Sequence, residues 1–534
     1  MQSSLKNLAL YSGVSVLTMT GLTALAQTTQ EFTVHNRSEV VSNSVSGPGS
    51  NSSFLDTGTH LFHESEIYRA AILANGWNST LSAALRYTDS TQFDPDKFSV
   101  QKFEYRLNDA SKSITLGDYF ANLSQYSMNK AIKGMGYQQN FGDDQNYLRA
   151  TYGTFDGQWA YLLRDDRADE PMNRQGGGLR YQRQIGPLTY GVNLAFVSDS
   201  ADDGKRRPGE SAYEQTLPSF DWEYRTDALT LAGEHAYSST TEKAASGNSV
   251  DTSGMANKLT LRAMAGPANL DANLEQVGTD FMSLAGGATP DRFRAYVKAD
   301  AKVAKLWKVF GSVDYYHNDL NGQLAYRTSN TSYEMGLTKR RAFDRKTLTL
   351  STSLRQRVTD TDGKGSDQTT DRIKLKANDT FGVIDVRGDI ERIVDGSTTR
   401  TGDTMYNIGL SSRIERSQWT LVPNFEFGKG ERDNVAGGID VTSIARISLQ
   451  ADRGNGTAFG LNYDNNIAST PVQGTDAHVS RLAAYFEIRP ALRRGSTLKF
   501  ELANNDYQFG NASTNYSEQI ARIILTWPLD LISK

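Results

Sequence analysis

The sequence predicts an all-β chain, a single large antiparallel transmembrane β-barrel of about 26 strands, with 22 to 26 compatible with the pattern. Three observations lead there. The composition is hydrophilic yet rich in aromatics. The strands alternate between an apolar and a polar face. Short and long connections take turns along the chain.

The chain has 534 residues, with 46 Gly, 12 Pro, 25 Tyr, 22 Phe, 6 Trp and no cysteine. Its mean hydropathy is −0.52. Disordered chains are poor in aromatics, so the low hydropathy needs another cause. Strands that meet lipid on one face supply it, because every second residue is free to be polar. The missing cysteine excludes thiolate metal sites, cysteine nucleophiles and C-x-x-C-H heme attachment. A formal net charge of −4 gives no sign of nucleic-acid binding.

Lys6 precedes a largely apolar stretch from Leu8 to Ala26 that ends Ala24-Leu25-Ala26. A basic start, an apolar run and a small-residue end predict a signal peptide over 1–26 and export from the cytoplasm. Residues 27–60 are rich in Ser, Asn and Thr, with a short candidate strand from Glu31 to Val41. They are expected to form a periplasmic lead-in or a segment folded into the pore. The barrel is expected over 61–534.

Alternation is clearest from Arg292 to Val303. Phe293, Ala295, Val297, Ala299, Ala301 and Val303 share one face, while Arg292, Arg294, Tyr296, Lys298, Asp300 and Lys302 share the other. Successive strand side chains point to opposite faces. The same code recurs at Leu259-Leu261-Ala263, Ile384-Val386-Ile390, Leu482-Ala484-Phe486 and Leu498-Phe500-Leu502. Runs of about 9–13 residues exceed the usual soluble strand and suit a tilted membrane crossing.

Short turns are expected near Gly186, Thr226, Gly266, Ala304, Phe343, Asn378, Arg416, Gly454 and Ala491. Longer polar loops fall between them, for example near Lys205, Ala245, Ala285, Asn321 and Gly510. Outer-membrane barrels keep their turns short on the periplasmic side and long outside. Trp159, Trp222, Trp307, Trp419 and Trp527 fall on apolar faces near expected short turns or the C-terminal strand end, as an interfacial aromatic girdle would. Counting back from Ser517–Trp527 gives about 19 strands from Gly176 onward, and Leu61 to Arg164 offers about seven more.

This pattern resembles Gram-negative outer-membrane β-barrel proteins of the porin type, in architecture only. The resemblance implies an outer-membrane location among lipid and lipopolysaccharide. One departure stands out: such barrels typically end on an aromatic residue, whereas Trp527 is followed by Pro528 to Lys534.

Function is then read from the expected lumen face. Its basic members are Lys258, Arg262, Arg292, Arg294, Lys298, Lys302, Arg372, Lys374, Lys376, Arg387, Arg446, Arg481, Arg489, Lys499 and Arg522. Its acidic members on the same strands are fewer: Asp300, Asp385, Asp389, Glu391, Glu487 and Glu501. Fixed positive charge in a narrow channel concentrates anions, unless the charges pair across neighbouring strands. The leading reading is a porin-like channel that passes small hydrophilic solutes, anionic ones preferred, with no cofactor. The alternative is a wide sheath or export conduit for a periplasmic partner, such as a multiheme cytochrome, or for an anionic polymer. A structural or adhesive surface barrel stands third.

Enzymatic readings lack support, since no nucleophile motif accompanies the six histidines. His60-x-x-His63 has no further ligands in sequence, and Asp360-Thr361-Asp362-Gly363 with Asp367 lacks the closing Glu of a calcium loop. Acidic pairs such as Asp165-Asp166 and Asp202-Asp203 are assigned to outer loops. The segment from Leu116 to Gly134 is expected on the periplasmic side as a long turn or strand continuation, with an inward-folded constriction or docking element as the other option.

Overall fold

A computed structural model describes residues 26–532 except 156, 160–161, 163–172, 200–209, 363–367, 397–400, 434–437, 471–474 and 491–494. The expected leader up to its last residue lies outside the described residues, as do Asp165-Asp166, Asp202-Asp203, Gly363, Asp367 and Ala491.

The described chain is one antiparallel sheet closed into a barrel of 26 strands. In order these are β1 (Ala26–Ser46), β2 (Gly58–Leu73), β3 (Asn78–Thr88), β4 (Phe98–Asn108), β5 (Lys112–Ser124), β6 (Met128–Phe141), β7 (Asp143–Thr154), β8 (Arg174–Ile185), β9 (Leu188–Asp199), β10 (Ala212–Arg225), β11 (Leu229–Lys243), β12 (Ser249–Ala265), β13 (Ala268–Val277) and β14 (Arg292–Ala304). The remaining crossings run from Trp307–His317 to Tyr516–Ile532. Ile414–Arg416 counts as the continuation of Thr401–Ser412, since both pair with Trp419–Asp433.

Closure corrects one expectation. Residues 27–60 are not simply a lead-in or a pore segment. They hold β1, which pairs antiparallel with β2 on one side and with Tyr516–Ile532 on the other. Six strands, not seven, therefore lie between Leu61 and Arg164, and β1 supplies the seventh.

The tight turns follow from local chemistry. Gly186-Pro187 and Gly266-Pro267 join their strands with two residues, and both glycines have φ +57°. A positive φ at the first position and proline's fixed φ at the second match a type II′ hairpin turn.

Exposed apolar side chains mark the outer face, among them Phe196, Leu259, Val297, Leu375, Ile390, Ile447, Leu482, Leu502 and Ile523. Directly opposed partners share a face, so Leu375↔Ile390 and Leu354↔Ile373 extend it from strand to strand. The intervening residues face a lumen that a barrel this wide cannot fill with wall side chains alone.

One hairpin leaves the wall. β4 pairs with β5 only from Ser113 to Gly117, and β6 pairs with β7 only from Lys133 onward. The segment between, Asp118 to Ile132, continues as a β5–β6 hairpin whose tip is Gln125–Ser127. The expectation of a periplasmic turn at Leu116–Gly134 is thereby corrected: strand order assigns this tip to the end that carries the longer loops.

The departure point is crowded. A Cβ on Gly153 would lie 2.5 Å from the Lys133 carbonyl and 2.8 Å from the Gly134 Cα. Gly153→Val is expected to lower stability by about 1–3 kcal/mol through overpacking. A urea titration of the folded barrel checks this, and an unchanged midpoint would show that the strands separate freely there.

Candidate functional site

The inward hairpin and the wall around it form the candidate site. The hairpin has two faces. Phe120 opposes Ala131 and Asn122 opposes Asn129, and all four are exposed toward the open lumen. Ala121, Leu123, Met128 and Ile132 are buried and face the barrel wall. There they meet Ala195 and Val197 of β9, Leu217 of β10, Ala236 of β11, Ala256 of β12 and Val277 of β13. These wall residues lie at lumen-facing positions, so the inner surface carries an apolar pad just where the hairpin lands.

Hydrogen bonds latch the tip. The Tyr126 phenol donates to Glu275 Oε1 at 2.9 Å, and its backbone N–H donates to Glu234 Oε1 at 3.0 Å. Lys258 Nζ donates to Gln125 Oε1 at 2.6 Å. Arg180 donates to the Leu123 carbonyl and is itself held by Asp221 at 2.6 and 2.8 Å. Arg149 donates to the Asn122 carbonyl at 2.6 Å.

The loop between β13 and β14 closes over the far side. Asn129 N–H donates to the Ala285 carbonyl at 2.9 Å, and Gly287 N–H donates to the Gln125 carbonyl at 2.9 Å. The Phe281 ring meets Tyr126 edge to face at 5.8 Å.

Fully burying a large apolar side chain contributes roughly 1.5–3 kcal/mol. Leu123, Tyr126, Met128 and Ile132 together are then worth on the order of 6–12 kcal/mol before the entropy of ordering the hairpin. That burial and the hydrogen bonds of the tip together hold the hairpin against the wall. Burial pushes the Tyr126 phenol pKa up, and Glu275 and Glu234 push it the same way.

The basic residues expected on the pore wall are largely committed. Lys258 and Arg292 serve the latch, the latter through Glu275 at 2.6 Å. Arg294 grips Asp314 with two bonds at 2.9 and 2.8 Å. Arg372 and Lys374 converge on Glu391 at 2.6 and 2.7 Å. Arg387 and Arg446 flank Glu426 at 3.5 and 3.4 Å. Arg481, Lys499 and Arg522 surround Glu501 at 3.6, 2.9 and 3.4 Å. Arg262 lies 3.6 Å from Asp271. Lys298 sits over the Phe310 ring. Lys302 and Lys376 form no ion pair among the described residues. Arg489 lies past the end of Ala477–Ile488, with its stem against Gly456.

Glu391 and Glu501 were among the expected lumenal acids; the other acids that offset these cations were missed because they sit outside the strands with the sharpest alternation. Asp271 and Glu275 belong to Ala268–Val277, where Leu270, Ala272 and Leu274 alternate with Asp271, Asn273 and Glu275. That signal was present but short. Glu234, Asp314, Glu426 and Asp464 carry none by themselves; only register brings them beside a cation.

Trp222, Trp307, Trp419 and Trp527 lie on the outer face beside short connections or at the last strand's end. Trp159 is a correction. It lies past β7 in the β7–β8 connection, at the long-loop end, where its indole N–H donates to Asp118 at 2.6 Å. Phe103 and Lys133 pack on its ring, in the gap the hairpin leaves in the wall. Among the described residues no group of three His, Cys, Asp or Glu is placed to hold a metal. His60 and His63 take different partners, the Asp56 carbonyl and the hydroxyls of Ser38 and Ser65.

A closed antiparallel sheet with an apolar outer face decides the class. The architecture is that of a porin-like outer-membrane β-barrel.

No family model matches the chain, and no curated protein matches it. Among solved structures it is similar to the P pilus usher (PapC) translocation pore, with 12% identity over 93% of this chain and 99% of that one, at a TM-score of 0.34. It is also similar to Pseudomonas aeruginosa OccK11, with 11% identity over 95% and 99% of the two chains and a TM-score of 0.28. The copper transporter OprC aligns with 9% identity over 94% and 81%, at a TM-score of 0.41. At such identities the likeness concerns the barrel fold alone.

Two outcomes follow for the latch. Tyr126→Phe leaves Glu275 short of a donor and is expected to cost about 1–3 kcal/mol of hairpin docking, read as faster protease cleavage at the tip. A phenol whose pKa is raised on docking stabilises fully below its free value and loses that contribution as pH climbs past about 10. Protease sensitivity at the tip should therefore rise above that pH in the natural protein and change less in Tyr126→Phe.

Proposed function

We propose that the protein is an outer-membrane channel that passes small hydrophilic solutes through an aqueous lumen narrowed by the β5–β6 hairpin. One observation carries this reading: the hairpin is docked on one side of a wide lumen by a dedicated apolar pad, while its other face, with Asn122 and Asn129, is left to water. A structural barrel has no need of a ledge packed against the wall on one face and open to the lumen on the other. Passage needs no catalytic residue; radius and wall charge set selectivity.

The wall chemistry supports a modest anion preference. Most lumenal cations face an acid on the adjoining strand, which cancels their field at a distance. Of the expected set, Lys298, Lys302 and Lys376 form no ion pair among the described residues, although Asp271 stands across from Lys298 and Asp389 across from Lys376 in register, so the preference rests on a small surplus. A periplasmic partner remains compatible with the lumen's width, but no surface among the described residues favours it over free solute.

Planar-bilayer recording tests the reading. Replacing Asp118–Ile132 by a short linker should raise single-channel conductance at least about twofold, because the hairpin occupies part of the conducting section. Folded protein that never conducts, with or without the hairpin, would sink the channel reading. Reversal potentials in a salt gradient should favour anions slightly, and a Lys298→Glu, Lys302→Glu, Lys376→Glu triple variant should reverse the sign. Strong cation selectivity in the natural protein would refute the charge assignment.

A further inference from the structure

Where β5 leaves the wall, its shoulder overhangs β4, β6 and β7 and encloses a recess of about 480 Å3. Its lining includes Phe120, Thr115, Gln138 and Asn140 together with the charged side chains of Arg106, Arg149, Asp109, Lys112 and Asp144. We infer that it is a binding site for a neutral sugar, through which the channel selects its solute; this rests on the solute-channel reading above.

Phe120 is the first reason. It is 59% exposed at the lip of the recess, on the hairpin face turned to the lumen. Exposed large apolar side chains elsewhere on the strands mostly point outward, where lipid covers them. An aromatic ring held in water on an ordered ledge offers a flat apolar surface to a solute that has one.

The second reason is the state of the charges. Arg149 spends Nε and Nη2 on Gln138 Oε1 at 3.0 and 2.7 Å and Nη1 on the Asn122 carbonyl at 2.6 Å. Arg106 is bonded to Glu104 at 2.8 Å. A free carboxylate would have to displace these partners. What the recess offers a newcomer is hydroxyl, amide and carboxylate groups: the Thr115 hydroxyl, the Gln138–Asn140 pair bonded at 2.7 Å, Asp144, which accepts from Asn140 at 2.9 Å, and Asp109, which accepts from the backbone N–H groups of Ser111 and Lys112; the two carboxylates accept from a sugar's hydroxyls and repel a free carboxylate. An apolar face beneath a ring and a rim of neutral donors and acceptors is the surface of a sugar.

The third reason is that the floor is built. The Tyr119 ring lies over Gly136, where a Cβ would come within 3.0 Å of it, and its hydroxyl donates to the Met135 carbonyl at 2.7 Å. The floor therefore holds its shape without a ligand.

Calorimetric titration of the detergent-solubilised full-length barrel with maltotriose, alongside glucuronate, tests the site. Maltotriose is expected to bind and glucuronate to bind more weakly. Phe120→Ala should weaken maltotriose roughly fivefold or more, while Phe120→Trp retains it. Gln138→Ala, which leaves the aromatic in place, should also weaken it. Absence of maltotriose binding, equal binding by Phe120→Ala, or tighter binding of glucuronate would each overturn the inference. Conductance of the same preparation is recorded separately. A conducting barrel that binds no maltotriose fails this inference alone, whereas a non-conducting barrel fails the channel reading.

Discussion

In hydrocarbon an unpaired peptide group costs several kcal/mol, because no water can replace the missing partner. That cost dictates the molecule's form. A sheet in lipid can have no edge, so the first strand must find the last, and β1 does so against Tyr516–Ile532 over most of its length. Everything else follows from a closed wall of this circumference. Such a wall surrounds more space than its own side chains fill, and the sequence must say what stands in that space.

Part of the answer is electrostatic. The wall's cations and acids are interleaved so that an Arg on one strand meets a carboxylate on the next. Glu391 serves two cations and Glu501 three. Solvated pairs contribute little stability one by one. Their larger effect is on the lumen's field, which they flatten. The remainder of the answer is the β5–β6 hairpin, for which the wall reserves small and apolar side chains at positions that elsewhere are charged. Ala195, Ala236 and Ala256 make sense on a water-filled wall only because Leu123, Tyr126 and Met128 cover them.

The barrel was legible in the sequence because its signal is repeated. Every crossing has the same two-faced code, and an error at one strand is outvoted by its neighbours. Part of β1 was legible as the candidate strand Glu31–Val41, but its place in the wall was not, because Asn36, Ser38, His63 and Ser65 put polar atoms, hydrogen-bonded to one another, on the outer side of its pairing with β2. Alternation is blurred where such a network replaces hydrocarbon. The hairpin's docking was illegible for a different reason: Tyr126 and Glu275 lie far apart in the chain, and only the closed sheet brings them together. Charge pairing shares that limit. Arg294 was identified from its own strand, but Asp314 is its partner only by register.

The distance from Tyr126 to its anchors has a temporal meaning. Its receiving surface is spread over β9 to β13 and the loop that follows, so the hairpin has nothing to rest on until those strands stand side by side. Contacts between remote parts of a chain form late, since the intervening segment must be ordered first. An assembling barrel therefore passes through a stage with its wall partly raised and its lumen unobstructed. The constriction arrives only once β9 to β13 are raised, so a narrowed lumen is also a sign that the wall beside it is complete.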